Sequence, residues 1–465
     1  MQNRRQFAQA AALGTGALLL TRCAVLGHSR ADDAWDAVPH ILARIRPPVF
    51  PDRDFLITTY GAVGDGVADC TAAFQSAIEA CGAAGGGRVV VPSGRFQTGP
   101  IHLRSNINLY LERGATVAFQ RDPSRYLPAV FTRWEGVEVM NYSPFIYAFE
   151  QQNIAISGQG TLDGQADNQH WWPWNGKPAY GWKQGDPNQI QGRKRLFDMA
   201  ERGVPVADRV FGTGDYLRPN FIQPYRCVNV MIEGVSIVNS PMWEIHPVLC
   251  RNVIARNVKV VTHGPNNDGC NPESCQDVLI EGCEFDTGDD CIAIKSGRNA
   301  DGRRLNMPTE NVIVRNCRMK DGHGGVTLGS EISGGVRNVF AERCVMDSPN
   351  LDRALRFKNN AMRGGLLENV YMRDVEVGQV ADAVLSIDFH YEEGANGPFK
   401  PLVRNVHMQN VTSKKSKYAL YLRGLPNAPI YDISIENCTF DNVDQANVIE
   451  HVVDLDLDAV RIERA

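Results

Sequence analysis

The chain has 465 residues and an ordinary globular composition, and length alone would suggest about three domains. Its 48 Lys and Arg against 53 Asp and Glu give a formal net charge of −5, which argues against general nucleic-acid binding, where a basic stripe is expected. An anionic substrate is still compatible, because a local basic pocket can sit on an acidic protein.

In chain order, residues 1–31 read as an export signal of the twin-arginine type. Arg4-Arg5 precedes an apolar run from Ala8 to Leu20 that is too short to span a membrane, and Ser29-Arg30-Ala31 offers a small-x-small cleavage site. Leu20-Thr21-Arg22-Cys23 faintly resembles a lipoprotein site, but Arg22 stands where a small residue belongs. The expectation is a bacterial-type periplasmic or secreted protein, with 32–465 forming one domain. No later segment is apolar enough for a transmembrane helix.

Asp69 is placed to N-cap a helix running through Cys81, with Phe74, Ile78 and Cys81 on one face. Gly85-Gly86-Gly87 ends it, and the segments from Arg88 and from Ser93 begin a first coil. Such a helix would cap a solenoid and shield its end from edge pairing.

A repeat then dominates the chain. Copies start at Asn229-Val230, Asn252-Val253, Asp277-Val278, Asn311-Val312, Asn338-Val339, Asn369-Val370, Asn405-Val406 and Asp432-Ile433, with an earlier one at Asn153-Ile154. Each holds two short alternating strands with a polar pair or glycine between them, and the period is 23 to 36 residues. No copy buries its apolar face alone, so the copies must stack, with strands one turn apart as parallel neighbours. Asparagine suits the corners because it tolerates left-handed backbone. The pattern predicts an all-β parallel β-helix. Of the twelve cysteines, Cys283, Cys317, Cys344 and Cys438 share one slot of the repeat, which predicts buried free thiols rather than disulfides.

The gap from Asn153 to Asn229 predicts a loop insertion near 165–220, carrying Trp171, Trp172 and Trp174 for loop packing or for sugar stacking. Smaller insertions are expected at 298–310 and 391–401.

The spacing also gathers a candidate site. Asp268 lies 21 residues before Asp289, close to one coil, which sets it beside Asp289-Asp290; His323 follows on the next coil and Arg356 with Lys358 one coil later. Arg356 and Lys358 share a strand face while Phe357 points inward. Strict alternation would split Asp289 from Asp290, so the backbone is expected to bend at Gly288. Three neighbouring carboxylates are costly unless they pair, bind a cation or share protons. Lys295 is expected to pair with nearby aspartates.

Four blocks in order, Asn266-Asn267-Asp268, Asp289-Asp290, Gly322-His323-Gly324 and Arg356-Phe357-Lys358, resemble the signature of glycoside hydrolase family 28, the polygalacturonase family of right-handed β-helices. The likeness runs from Tyr60-Gly61-Ala62 through Gly158-Gln159-Gly160 to the last repeats; Asn267 departs from the threonine or proline common at that place. The resemblance implies inverting hydrolysis of galacturonosyl links in a pectic polysaccharide. Asp289 would be the general acid, Asp268 and Asp290 would activate water, and His323 would tune the acid. Arg356, Lys358 and Asn266 would bind substrate. It implies neither a cofactor nor a metal, and a monomer without nucleic-acid or membrane partners. A large insertion can close one end of the groove, which favours exo action. Rhamnogalacturonan or xylogalacturonan hydrolysis, a calcium-dependent pectate lyase and a non-catalytic polysaccharide-binding solenoid are the competing readings.

Overall fold

The computed structural model describes residues 34–465; the export signal read at 1–31, with Cys23, lies outside the described residues. The described chain winds as a right-handed parallel β-helix. Two of its faces are 13-stranded sheets whose strands neighbour one another in sequence order. The second residues of the repeat copies stack in register: Val230 pairs with Val253, then follow Val278, Val312, Val339, Val370, Val406 and Ile433. All eight are at most 2 % exposed, so one apolar column runs the length of the stack.

The residue before each of these takes left-handed backbone, from φ 55° at Asp432 to φ 59° at Asn229 and Asn311. Their amides form a ladder in which Asn229 donates to Asn153 at 2.8 Å, Asn252 to Asn229 at 2.7 Å and Asn338 to Asn311 at 3.1 Å. Asp277 interrupts it, since a carboxylate has no N–H to give Asn252. The gap is filled from outside. Arg44 donates to both Asp277 oxygens, at 2.6 and 3.1 Å, and the peptide N–H of Arg46 donates to Asn252 Oδ1 at 3.1 Å. These residues end a helix, Ala37–Arg44, that the repeat pattern does not reveal. With Trp35, Val38 and Ile41 it covers an outer stripe of the first sheet formed by Met231, Ile254, Leu279, Ile313, Phe340 and Tyr371.

The capping helix spans Thr71–Ala83 and buries Phe74, Ile78 and Cys81 as expected. Its N-cap is Cys70, not Asp69. The Asp69 carboxylate still accepts from the Thr71 N–H at 2.9 Å, one position early. The eleven described cysteines are all free and buried. Cys227, Cys250 and Cys275 form a second column, the N–H of Cys227 reaching Cys250 Sγ at 3.4 Å.

The third face is broken. A three-stranded sheet (Ile101–His102, Ile146–Phe149, Ile222–Tyr225) and a six-stranded one starting at Ile292–Ile294 are joined by two rows of isolated pairings, Ile222 to Ile245 to Cys270 to Ile292 and Tyr225 to Val248 to Glu273 to Lys295. Over this gap sit an antiparallel hairpin, Val130–Trp134 with Val137–Asn141, and the insertion between Asp163 and Ile222. The hairpin turns through Glu135 (φ 41°) and Gly136 (φ 79°), the left-handed pair that a two-residue turn needs. The insertion is more than a loop, for it holds a helix, Ile190–Glu201, whose Leu196 and Ala200 pack on Trp134, Phe211, Met242 and Trp243. The tryptophans pack. Trp171 is buried against Tyr126, Phe145 and Trp174, and Trp172 donates its indole N–H to the Ser240 carbonyl at 2.8 Å. The smaller insertion carries a short helix, Asn299–Leu305. Among the described residues no helix is long and apolar enough to cross a membrane.

Candidate active site

Asn266, Asp268, Asp289, His323, Arg356 and Lys358 line one cavity of about 730 Å³ on the third face, and Asp290 is buried against Arg356 and Lys358. Asp268, Asp289 and Asp290 each bring a carboxylate oxygen within 4.8 Å of the others. Adjacent coils hold them together through the backbone, the Gly269 N–H donating to the Asp290 carbonyl at 3.0 Å and the Asp289 N–H to the Asn267 carbonyl at 3.2 Å.

Asp289 and Asp290 turn to the same side because neither is in a strand. They lie on the bend between Glu284–Thr287 and Ile292–Ile294, where two-residue alternation no longer applies. Gly288 contributes differently from expectation. It does not take a positive φ; a Cβ there would lie 2.5 Å from the Gly264 carbonyl oxygen, so the position needs close packing rather than unusual backbone. Gly324 is required for a related reason, since its Cβ would stand 2.2 Å from Thr327 Oγ1 and 2.9 Å from Asp290 Oδ1.

Asp290 is fully buried and tied on both oxygens. Oδ1 accepts from Thr327 at 2.9 Å and from Arg356 at 3.2 Å; Oδ2 accepts from Lys358 at 2.5 Å. Burial alone would raise its carboxyl, but the charges of Lys358 and Arg356 outweigh it and hold the group below the ordinary range. The two cations that the resemblance assigns to substrate therefore also hold Asp290.

Asp268 behaves oppositely. Burial and the neighbouring Asp289 push its carboxyl up to about 8, against the pull of Lys295 at 3.4 Å. Its Oδ2 accepts from Asn271 at 2.8 Å. Asp289 faces His323, whose Nδ1 lies 3.1 Å from Oδ1. Burial raises the Asp289 carboxyl less than His323, Lys358 and Arg356 lower it, and the hydrogen bond to Asp289 raises the imidazole. Of the three carboxyls Asp268 is therefore the one most ready to keep a proton, and Asp290 is biased toward the ionised form.

Asn266, in left-handed backbone, accepts from Arg218 at 2.7 Å and lines the cavity. Asn267 is a brace: it accepts from Gly264 N–H at 2.6 Å and donates to the Ser240 and Met242 carbonyls at 3.1 Å. Lys295 is an ion-pair partner as expected, also meeting Glu331 at 3.0 Å, and it lies 4.3 Å from the Trp243 ring centroid.

Sequence reasoning missed several wall residues. Lys177, Arg193 and Phe197 come from the insertion, and Tyr391 and Glu392 from the 391–401 segment. None sits in a repeat slot, so no periodicity marks them. Glu244, on the coil before Asp268, was also missed; it is wholly buried and its side-chain oxygens have no hydrogen-bond partner among the described residues. Burial, then the charge of Asp268, raises it well above the usual carboxyl range.

The profile of Glycosyl hydrolases family 28 matches residues 213–454, more than half of the chain. The chain belongs to that family. A second profile, Rhamnogalacturonase A/epimerase, pectate lyase-like, matches residues 55–114 in the N-terminal coils. Among solved structures, a hyperthermoactive exopolygalacturonase from Thermotoga maritima is 48 % identical with a TM-score of 0.90, over 93 % of this chain and 96 % of that one. A probable polygalacturonase from Vitis vinifera is 29 % identical over 82 % of this chain and 73 % of its own length. An exo-poly-alpha-D-galacturonosidase from Dickeya chrysanthemi is 27 % identical over 72 % of this chain and 57 % of its own length. As a family 28 member the protein is a glycoside hydrolase, and its acidic trio lies on the part of the chain that the family profile covers.

Proposed function

We propose that the protein hydrolyses α-1,4 galacturonosyl links of pectic polysaccharide from a chain end, with Asp289 donating the proton to the leaving oxygen. The observation that carries this reading is the pairing of the aspartate trio with Arg356 and Lys358 at a cavity lined in part by the insertion. An acid and a base from one residue type need carboxyls in different surroundings, and the site supplies them: Asp290 is held low by Lys358 and Arg356, while Asp289 faces an imidazole that can hand it a proton. Water positioned beside Asp268 attacks the anomeric carbon and passes its proton to ionised Asp290, while Asp289, having taken a proton from His323, protonates the departing oxygen as the glycosidic bond breaks. Arg356 and Lys358 sit where a uronate carboxylate can share them with Asp290, so a neutral sugar would leave them underused. The helix Ile190–Glu201 and the Glu135 turn, both from chain that precedes the trio, line the cavity, which supports exo action. Arg4-Arg5 supports export to the periplasm or beyond.

The calcium-lyase reading is less favoured, because a divalent cation among the three aspartates would face Lys358 at 2.5 Å and Arg356 at 3.2 Å from Asp290. One spacing favours retention over inversion. Oxygens within 4.8 Å are closer than the roughly 6.5–9.5 Å typical of inverting pairs. Against it, both oxygens of Asp290 are occupied by cations or a hydroxyl, which makes a poor nucleophile. The test is incubation with polygalacturonate and a chelator, following reducing ends, ultraviolet absorbance and product size. Monomer or dimer released from the start, without an absorbance rise, is expected. A chelator-sensitive absorbing product would overturn the hydrolase part, and an early spread of intermediate sizes would overturn the exo part.

A further inference from the structure

The outer face of the six-stranded sheet does not end at the Arg356–Lys358 pair. Strand register carries Arg356 onto Ser386 and then Tyr421, and Lys358 onto Asp388 and then Arg423. Two strand spacings separate Arg356 from Tyr421, about 10 Å. Between them Ser386 is too small to fill the rung, and a second cavity of about 150 Å³ opens there. It adjoins the first, for Arg356, Lys358 and Tyr391 line both.

The charges around this trough are unequal. Arg353 is paired with Asp382 at 2.5 Å and Arg423 with Glu450 at 2.9 Å. Lys417 is exposed and has no carboxylate within 4.0 Å among the described residues; its Nζ lies 5.0 Å from the Tyr418 ring centroid. Tyr418 and Tyr421 stand 5.3 Å apart, tilted by 50°, and offer an apolar body with a polar tip. Asp388 is the acid of the trough, and its Oδ1 accepts from the His390 N–H at 2.9 Å. It also accepts readily from a sugar hydroxyl.

We propose that this trough is an outer uronate subsite. It takes a galacturonate unit farther along the same chain, with the carboxylate toward Lys417, a hydroxyl toward Asp388 and the ring against Tyr421. The inference rests on the galacturonan reading above and deepens it: with the first cavity lined by chain that precedes the trio, the rest of a bound chain leaves over the C-terminal coils, across this face. A short oligomer ends before Lys417, whereas a longer one reaches it. The subsite therefore converts chain length into affinity, and the substrate is polymer rather than small oligomers.

The experiment measures kcat/KM on galacturonate oligomers of increasing length for the full chain, for Lys417→Ala, Lys417→Glu and Tyr421→Ala, and for Lys414→Ala as a surface-charge control. The wild type should gain about tenfold from the shortest to the longer oligomers, as expected for one stacking and one charge contact. Lys417→Ala and Tyr421→Ala should flatten that gain, Lys417→Glu should reverse it, and Lys414→Ala should keep it. Thermal melting of each variant guards against a folding defect. A wild type that cleaves all lengths equally, or variants that keep its length profile, would remove the subsite and leave the hydrolase reading standing. Failure to cleave any oligomer would overturn both.

Discussion

Lys358 Nζ lies 2.5 Å from Asp290 Oδ2, both groups buried, on coils separated by that of His323. The pair explains why Asp290 is ionised in an enclosed site, and it ties substrate recognition to the base. A uronate drawn to Lys358 competes with Asp290 for the same ammonium, which frees the base as the ligand seats.

Lys358→Met keeps the stem and removes the charge. The carboxyl of Asp290 then loses the first influence that holds it below the ordinary range, so it rises. Activity that needs ionised Asp290 falls as pH drops through that value, so the acid limb of the kcat/KM profile should move to higher pH. The loss at the optimum should be about a hundredfold or more, the usual weight of general acid–base and charge contacts. A lower KM-based rate with an unmoved acid limb would show that Lys358 binds substrate without poising Asp290.

The raised carboxyl of Asp268 has a stability consequence. Its folded form keeps a proton to about 8, whereas the unfolded chain gives it up near 3.9. Its contribution is complete below about pH 4 and is lost progressively as pH rises to about 8. Asp268→Asn cannot ionise, so relative to wild type it should gain in melting temperature between pH 4 and pH 8. Glu244→Gln should act with the same sign, since that carboxyl is also raised. The Asp268 variant should in addition lose turnover by about 10²–10⁴-fold. Parallel melting curves for wild type and Asp268→Asn across this range would sink the assignment.

Much of this was legible in the residues. The asparagine at each corner and the apolar residue after it give the register, and 21 residues between Asp268 and Asp289 give their adjacency, because a coil length is a distance in a solenoid. What lies off the repeat was not legible. The hairpin turn at Glu135-Gly136, the helix from Ile190 and the wall residues Arg193 and Tyr391 follow local rules that no periodicity flags. The proton distribution was also hidden, since it depends on burial differences among three aspartates that look alike in sequence.

The stereochemistry separates two readings that the spacing leaves in tension. Proton magnetic resonance of the first-formed sugar should show the β anomer from an α-linked galacturonan, followed by mutarotation. Asp290, held by Thr327, Arg356 and Lys358, is then a base for water and not a nucleophile. Initial appearance of the α anomer would mean a covalent intermediate and would shift the nucleophile to Asp268, whose Oδ1 accepts no hydrogen bond from a described residue.

The N-terminal helix gives a prediction independent of chemistry. Trp35 is 6 % exposed, sits 5.3 Å from the Phe340 ring and carries Arg373 at 3.8 Å over its face. Trp35→Ala should cost about 3–5 kcal/mol of the strap's packing. That loss should appear first as local detachment, because the coils beneath have their own core column. Arg44→Ala should cost no more than about 1 kcal/mol, since Arg44 is half exposed although Asp277 is buried. Asp277→Asn tests the ladder itself: it loses Arg44 but gains an amide able to donate to Asn252, so its cost should fall below that of Arg44→Ala. Hydrogen exchange over 34–46 measures all three. Faster exchange confined to that segment in Trp35→Ala is the expected result, and exchange spreading through the repeat copies would mean that the strap nucleates the solenoid instead of decorating it.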